Sequence, residues 1–258
     1  MILVLGGTSE GREIVRALQR AGYSCLLSVA SDLGELFLEE KIPRRVGQLG
    51  PETLQQLLRE LRVDLIVDAT HPYAAQIQRL SQTVAREMAV AYWRFQRPPL
   101  ELPDDPGLIR VADYEGALQV LRASEGGIFF TIGVKNLARF RELWESASRP
   151  VWVKVYPAAD SIELCRASGL RPEQIYAFHG SGTFEILRAI LKQIGAAWLV
   201  TKESGRTGGT DLKIAAALES GCKILLIERP QVETGLEFIT FADVEQLLLK
   251  LKELERSS

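Results

Sequence analysis

At 258 residues, 47% hydrophobic and 25% charged, the chain has the make-up of an ordinary globular protein, with room for one large domain or two modest ones. Its 31 Lys and Arg stand against 33 Asp and Glu, and the net charge of −2 excludes an overall basic field for nucleic acid or anionic membrane. Two His and three Cys leave almost nothing from which to build a His triad, a metal site or a disulfide framework, so no metal is expected.

The chain opens on an apolar run, Ile2–Leu5, that reads as a strand and turns at once into glycines. That run is far too short for a signal peptide or membrane span, so a cytoplasmic protein with no membrane partner is expected. Gly11–Arg20 follows as a helix with Ile14, Val15 and Leu18 on one face, and Ser24–Ala30 is a second strand. A short helical segment at Leu33–Glu40 and an extended Arg44–Val46 lead to a helix that starts at Pro51 and buries Leu54, Leu57, Leu58 and Leu61. Asp64–Asp68 reads as a central strand, Ala74–Met88 as a helix and Val90–Trp93 as a closing strand, completing a doubly wound α/β unit. Arg97–Gly107 holds four of the 11 prolines and cannot continue a helix or a central strand, so domains are expected at 1–97 and 98–258.

Beyond the prolines, strands are predicted at Ile109–Val111, Gly127–Thr131, Val151–Tyr156, Gln174–Phe178, Ala197–Thr201 and Lys223–Ile227. Helices are predicted at Tyr114–Ala123, Leu137–Trp144, Thr183–Gln193 and Lys213–Ser220, and a last one at Phe241–Leu254 turns Val244, Leu247, Leu248 and Leu251 inward. Cys25, Cys165 and Cys222 lie far apart and outside any C-x-x-C pattern, and read as reduced core thiols. The fold class is therefore α/β, with two Rossmann-like domains built on mainly parallel sheets.

Gly6-Gly7-Thr8-Ser9-Glu10-Gly11 follows the first strand and opens the first helix, the setting a dinucleotide fingerprint requires. Gly6 and Gly11 fit that pattern and Thr8 replaces the middle glycine, adding a hydroxyl able to donate to a phosphate at the helix N-terminus. The plainer alternative is a turn that merely joins strand to helix. About twenty residues on, Ala30-Ser31-Asp32 ends the second strand. An acid there accepts the ribose 2′-hydroxyl of NADH, whereas an Arg suits NADPH, and no Arg or Lys occurs between Gly22 and Glu40. NADH is thus favoured over NADPH, unless Asp32 instead caps the next helix. Asp68-Ala69-Thr70-His71-Pro72-Tyr73 lies at the carboxyl end of a central strand, where Asp68 and Thr70 can fix a turn and touch a cofactor. His71 is either a hydrogen-bonded structural residue or one that acts on substrate or cofactor.

In the second half, Thr131-Ile132-Gly133-Val134-Lys135 follows a strand in the same way. The run from Thr201 to Lys213 gathers Lys202, Glu203, Ser204, Gly205, Arg206, Gly208 and Lys213. Glycine-rich backbone beside Lys and Arg is a receptor for carboxylates or phosphates, the alternative being a solvated surface loop. No Walker spacing and no G-x-S-x-G is present.

The first-strand glycine turn through Arg12, the Asp68–Ala74 string D-A-T-H-P-Y-A, the Thr131–Gly133 turn and the Lys202–Lys213 loop together resemble the precorrin-6A reductase family of cobalamin biosynthesis. The resemblance runs in order along nearly the whole chain and departs at His179–Phe184, where relatives often read G-P-F-S. It implies two α/β domains with a cleft between them, and NAD(P)H-dependent reduction of a ring double bond in precorrin-6A or its cobalt form. It further implies a tetrapyrrole polycarboxylate as the partner, met by Lys135, Lys202, Arg206 and Lys213 with Tyr73, Thr131 and Gly133 among the substrate residues. The segment Ser28–Asp32 resembles the cobalt branch that uses NADH. The competing expectation is a non-catalytic dinucleotide-sensing protein.

Overall fold

The computed structural model describes residues 1–30, 42–96, 99–145, 149–230 and 239–257. The chain divides into two compact units, one of Met1–Pro98 with Gln231–Ser258 and one of Pro99–Pro230.

The sheet of the first unit has the order β12-β5-β4-β1-β2-β3, with β1 at Ile2–Leu5, β2 at Cys25–Val29, β3 at Arg44–Val46, β4 at Leu65–Asp68, β5 at Ala91–Phe95 and β12 at Ile239–Phe241. Every pairing is parallel. Both faces of β1 are covered: Ile2 and Val4 pack with Ile14, Val15 and Leu18 of helix Ser9–Arg20, and Leu3 and Leu5 with Leu54 and Leu58 of helix Pro51–Glu60. Burial on both sides is why the strand reads as a continuous apolar run. The chain moves from β1 to β2 on one side and returns to β4 on the other. The topological switch, where ligands of open α/β sheets bind, therefore lies between the carboxyl ends of β1 and β4.

The last segment corrects the expected extent of the second domain. Residues 239–257 return to the first unit: Ile239, Thr240 and Phe241 pair with Trp93, Arg94 and Phe95, and the Trp93 and Phe241 rings sit 5.0 Å apart. Helix Val244–Ser257 then buries Leu247 and Leu251 in the core around Ile14 and Leu18. The expected helix at Leu33–Glu40 lies outside the described residues.

The second unit repeats the plan in the order β6-β11-β10-β7-β8-β9, with β6 at Leu108–Val111, β7 at Gly127–Phe130, β8 at Val151–Val155, β9 at Ile175–Ala177, β10 at Ala196–Lys202 and β11 at Lys223–Ile227, again all parallel. Its switch lies between β7 and β10. Phe129, Leu199 and Ile224 pack beneath helices Phe184–Ile194 and Thr210–Glu219. The expected helix at Leu137–Trp144 is a 3-10 stretch, Val134–Phe140, followed by one α-helical turn, Glu142–Glu145. Cys25, Cys165 and Cys222 are buried free thiols, and burial pushes Cys165 up to about 11 and Cys222 up to about 12. Among the described residues, no helix is long and apolar enough to cross a membrane.

Candidate functional site

The glycine turn and the D-A-T-H-P-Y string meet at the first switch. A Cβ on Gly6, whose φ is +147°, would stand 2.7 Å from the Ala69 carbonyl oxygen, and a Cβ on Gly11 would stand 2.9 Å from that of Gly6. Both glycines are needed for this close approach of turn, helix and neighbouring loop. Thr8 is the N-cap of helix Ser9–Arg20: its Oγ1 accepts from the Gly11 amide at 3.2 Å and donates to the Ala69 carbonyl at 3.0 Å. The hydroxyl proton thereby ties the helix cap to the Ala69 turn. Thr8, Glu10, Ala69, Thr70, Pro72, Arg94 and Phe95 line a small open depression. A helix N-terminus and a glycine cradle that a Cβ would fill are what a dinucleotide pyrophosphate requires, so the residues fit that group.

Asp68 works beneath this surface rather than on it. The residue is fully buried; its Oδ1 accepts from the Thr70 amide at 2.9 Å and lies 2.7 Å from Nη1 of Arg94, and its Oδ2 accepts from the Tyr92 hydroxyl. Arg94 also donates to the carbonyls of Asp68 and Thr70 at 3.1 and 2.9 Å and to the Thr70 hydroxyl at 3.2 Å. Burial, followed by the Asp68 charge, raises the Tyr92 phenol well above its ordinary value, so it stays a donor. Gln78 closes the network on the His71 carbonyl at 3.0 Å. His71 Nδ1 accepts from the Tyr73 amide at 3.3 Å, which leaves Nε2 as the protonated nitrogen, and the two rings are 5.6 Å apart. Ala30 is exposed at the end of β2; Ser31 and Asp32 lie outside the described residues. Pairing of β2 with β3 sets Ser28 beside Arg45, whose Nη1 donates to the Ser28 hydroxyl and the Gly47 carbonyl, both at 2.9 Å.

At the second switch, Thr131 follows β7 with its hydroxyl on the Val200 carbonyl at 3.1 Å, and Gly133 turns the chain at φ +82°. The loop after β10 is tightly wound. Thr210 Oγ1 accepts from the Ser204 amide at 3.0 Å and donates to the Lys202 carbonyl at 3.1 Å, and a Cβ on Gly208 would fall 2.2 Å from that of Ser204. This is a built loop rather than a loose solvated one. Glu203 is buried, accepts from the Gly205 amide at 3.1 Å and pairs with Arg229, so its charge is already answered. Lys213 is buried and donates to the Gly208 carbonyl at 2.9 Å. Burial, reinforced by the ammonium groups of Lys154 and Lys202, pulls its pKa down to about 7, and burial brings Lys202 down to about 8. Lys135 and Arg206 are exposed.

The model of the precorrin-6x reductase family, CbiJ/CobK, matches residues 1–252. The chain belongs to this family. It is 34% identical over 251 residues to a cobalt-precorrin-6A reductase of Priestia megaterium, covering 96% of this chain and 98% of that one. A cobalt-precorrin-6A reductase of Methanothermobacter thermautotrophicus is 33% identical over 253 residues, covering 96% and 82%. The precorrin-6A reductase of Mycobacterium tuberculosis strain H37Rv is also 34% identical, over 239 residues, covering 91% of each chain. The fold matches the solved structure of CobK precorrin-6A reductase with a TM-score of 0.78 at 24% identity, over 98% of this chain and 96% of that one.

The sequence marked Gly6, Thr8, Gly11, Ala69 and Thr70 as candidate cofactor residues, and the structure gathers them at one place together with Pro72. Arg94, Tyr92, Gln78, Arg45 and Lys154 went unmarked. Each sits on a strand or helix whose neighbours are fixed by pairing rather than by spacing along the chain. The one signal was charge in a strand, as in Arg94 of Tyr92-Trp93-Arg94-Phe95.

Proposed function

We propose that the chain is the reductase that converts cobalt-precorrin-6A, or its metal-free counterpart, to the 6B form by reducing one ring double bond with NAD(P)H. Family membership makes it an oxidoreductase of cobalamin biosynthesis. The observation that carries the fuller reading is the junction of the Gly6–Gly11 turn with the Ala69–Thr70 turn at a topological switch. Gly6, Gly7, the first turn of helix Ser9–Arg20 and the Ala69–His71 backbone would hold the dinucleotide, which when bound supplies the hydride.

The chain's own part is to bind and orient. Asp68 and Arg94 fix the Ala69–Thr70 turn, and Thr8 ties that turn to the helix cap, so the dinucleotide meets a preformed surface. Lys202 and Lys213 attract the macrocycle's carboxylates without making the whole protein basic. NADH is the favoured reductant through Asp32. Arg45, hydrogen-bonded to Ser28 at the end of β2, is the cation that would admit the 2′-phosphate of NADPH.

The test is anaerobic incubation with cobalt-precorrin-6A and with precorrin-6A, each with NADH and with NADPH, following nicotinamide absorbance. Loss of absorbance with a macrocycle, faster with NADH, is expected. Dinucleotide binding without oxidation in all four mixtures would establish the sensing protein instead. Equal or faster turnover with NADPH would remove Asp32 as the discriminating residue and point to Arg45.

A further inference from the structure

We propose that Lys154, Lys202 and Lys213 form a single pocket that receives a carboxylate of the ligand at the second switch, with Lys154 a binding residue in its own right. The pocket deepens the functional reading above and rests on it for the identity of the ligand. Two strands, one helix and two loops build it. Lys154 follows Trp152 by two residues on β8, so it shares the sheet face that Trp152 packs beneath helices Phe184–Ile194 and Thr210–Glu219, the second of which carries Lys213. Lys202 ends β10.

The ammonium of Lys154 lies 4.8 Å from the centre of the Phe178 ring and donates to the Gly180 carbonyl, as that of Lys213 does to the Gly208 carbonyl. The two carbonyl-bearing loops are locked together: a Cβ on Gly209 would stand 2.3 Å from the Ser181 hydroxyl oxygen. Lys154 and Lys213 are thus held by backbone carbonyls, and Lys154 and Lys202 lie close enough to Lys213 to repel its charge.

Lys213 is buried and Lys154 and Lys202 are partly buried, and gathering ammonium groups in such a place is unfavourable unless an anion answers them. Among the described ion pairs, none involves Lys154 or Lys213. Glu203, the buried carboxylate of the adjoining loop, is taken by Arg229, and Asp211, exposed on the same helix as Lys213, only partly offsets the repulsion. Among the described ion pairs, then, no acid answers Lys154 or Lys213, and the ligand's carboxylate is the counter-charge assigned to them. All three lysines have lowered pKa values, chiefly through burial, so an arriving carboxylate favours their charged forms and filling the pocket takes up protons near pH 7.

The test uses the full chain with three probes: uroporphyrin, a tetrapyrrole octacarboxylate; tricarballylate, a small tricarboxylate; and inorganic pyrophosphate. Calorimetric titration at pH 7.5 in two buffers of different ionisation enthalpy reads affinity and proton uptake together. Uroporphyrin and tricarballylate are expected to bind with net proton uptake. Lys154→Met should weaken both at least tenfold, Lys154→Arg should restore affinity to within about threefold, and the exposed Lys192→Met should change nothing. Unchanged affinity in a Lys154→Met protein that melts like the parent overturns the proposal. Should that variant fail to fold, Lys154→Gln takes its place under the same criterion. Tighter, Lys154-dependent binding of pyrophosphate than of tricarballylate overturns the carboxylate assignment. Lys154-dependent polycarboxylate binding in a protein that never oxidises NAD(P)H supports the pocket and removes the reductase reading alone.

Discussion

The two switch points share one topology and differ in chemistry. At the first, a buried carboxylate, Asp68, takes up the nearby cation Arg94, and what faces outward is glycine backbone and a helix N-terminus. At the second, a buried carboxylate, Glu203, takes up Arg229, and beside it stand the ammonium groups of Lys154, Lys202 and Lys213. Each unit ties an acid to an arginine beside its ligand loop, and the surplus decides the ligand. Backbone amides suit a cofactor whose phosphates need many short donors, whereas lysine point charges suit flexible carboxylate arms. A near-neutral protein can thus present one site built on backbone amides and one built on lysines.

The sharpest way to break this comparison is to remove the two internal acids. Asp68→Ala and Glu203→Ala each leave an arginine buried without its partner and should each cost about 3–5 kcal/mol in urea unfolding. A loss below about 1 kcal/mol for either would show that its ion pair is not the frame of its loop. Next come the glycines. Gly6→Ala and Gly208→Ala force a Cβ into backbone or a neighbouring side chain, and each should cost about 1–3 kcal/mol. Gly6→Ala should abolish dinucleotide binding while sparing uroporphyrin, and Gly208→Ala should do the reverse. If both variants lose both ligands, the two sites are not separable. Smaller still, Lys202→Ala should raise the macrocycle KM about tenfold and leave the cofactor KM unchanged. An unchanged macrocycle KM would take Lys202 out of the site.

Much of this was legible in the sequence because each local pattern had one dominant cause. Ile2–Leu5 and Leu65–Val67 are apolar on both faces, as strands in a covered parallel sheet must be, and Gly6 and Gly11 mark a turn that tolerates no Cβ. The D-A-T-H-P-Y string declared a site but not how it is divided. Asp68 reads as a residue that fixes a turn and touches a cofactor, and the pairing of β4 with β5, which sets Asp68 opposite Arg94, shows its carboxylate held inside the protein. β12 escaped notice because three residues at a sheet edge carry little periodicity, and their partner β5 lies some 150 residues earlier in the chain. Lys154 was hidden by strand alternation: in Val151-Trp152-Val153-Lys154-Val155 a charged residue reads as solvent-facing until its face is known to carry helices.

The gentlest test of the contrast needs no ligand. Lys213 has a pKa of about 7 in the folded chain against the ordinary 10.5, so between those values the unfolded chain binds more protons than the folded one. Stability should therefore rise with pH across this window, by up to about 1.4 kcal/mol per pH unit for one such group, with the penalty fully present below pH 7 and gone above about 10.5. Lys202, at about 8, adds its share from pH 8 upward. Urea unfolding from pH 7 to 9 in dilute chloride should show this slope, and Lys213→Met should flatten it. Saturating tricarballylate should flatten it too, since a filled pocket keeps the lysines charged. Asp68→Ala should lower the whole curve without changing its slope, because the first switch holds no buried lysine. A slope that survives Lys213→Met would mean that the second switch does not titrate in this range, and the contrast between the two sites would lose its electrostatic basis.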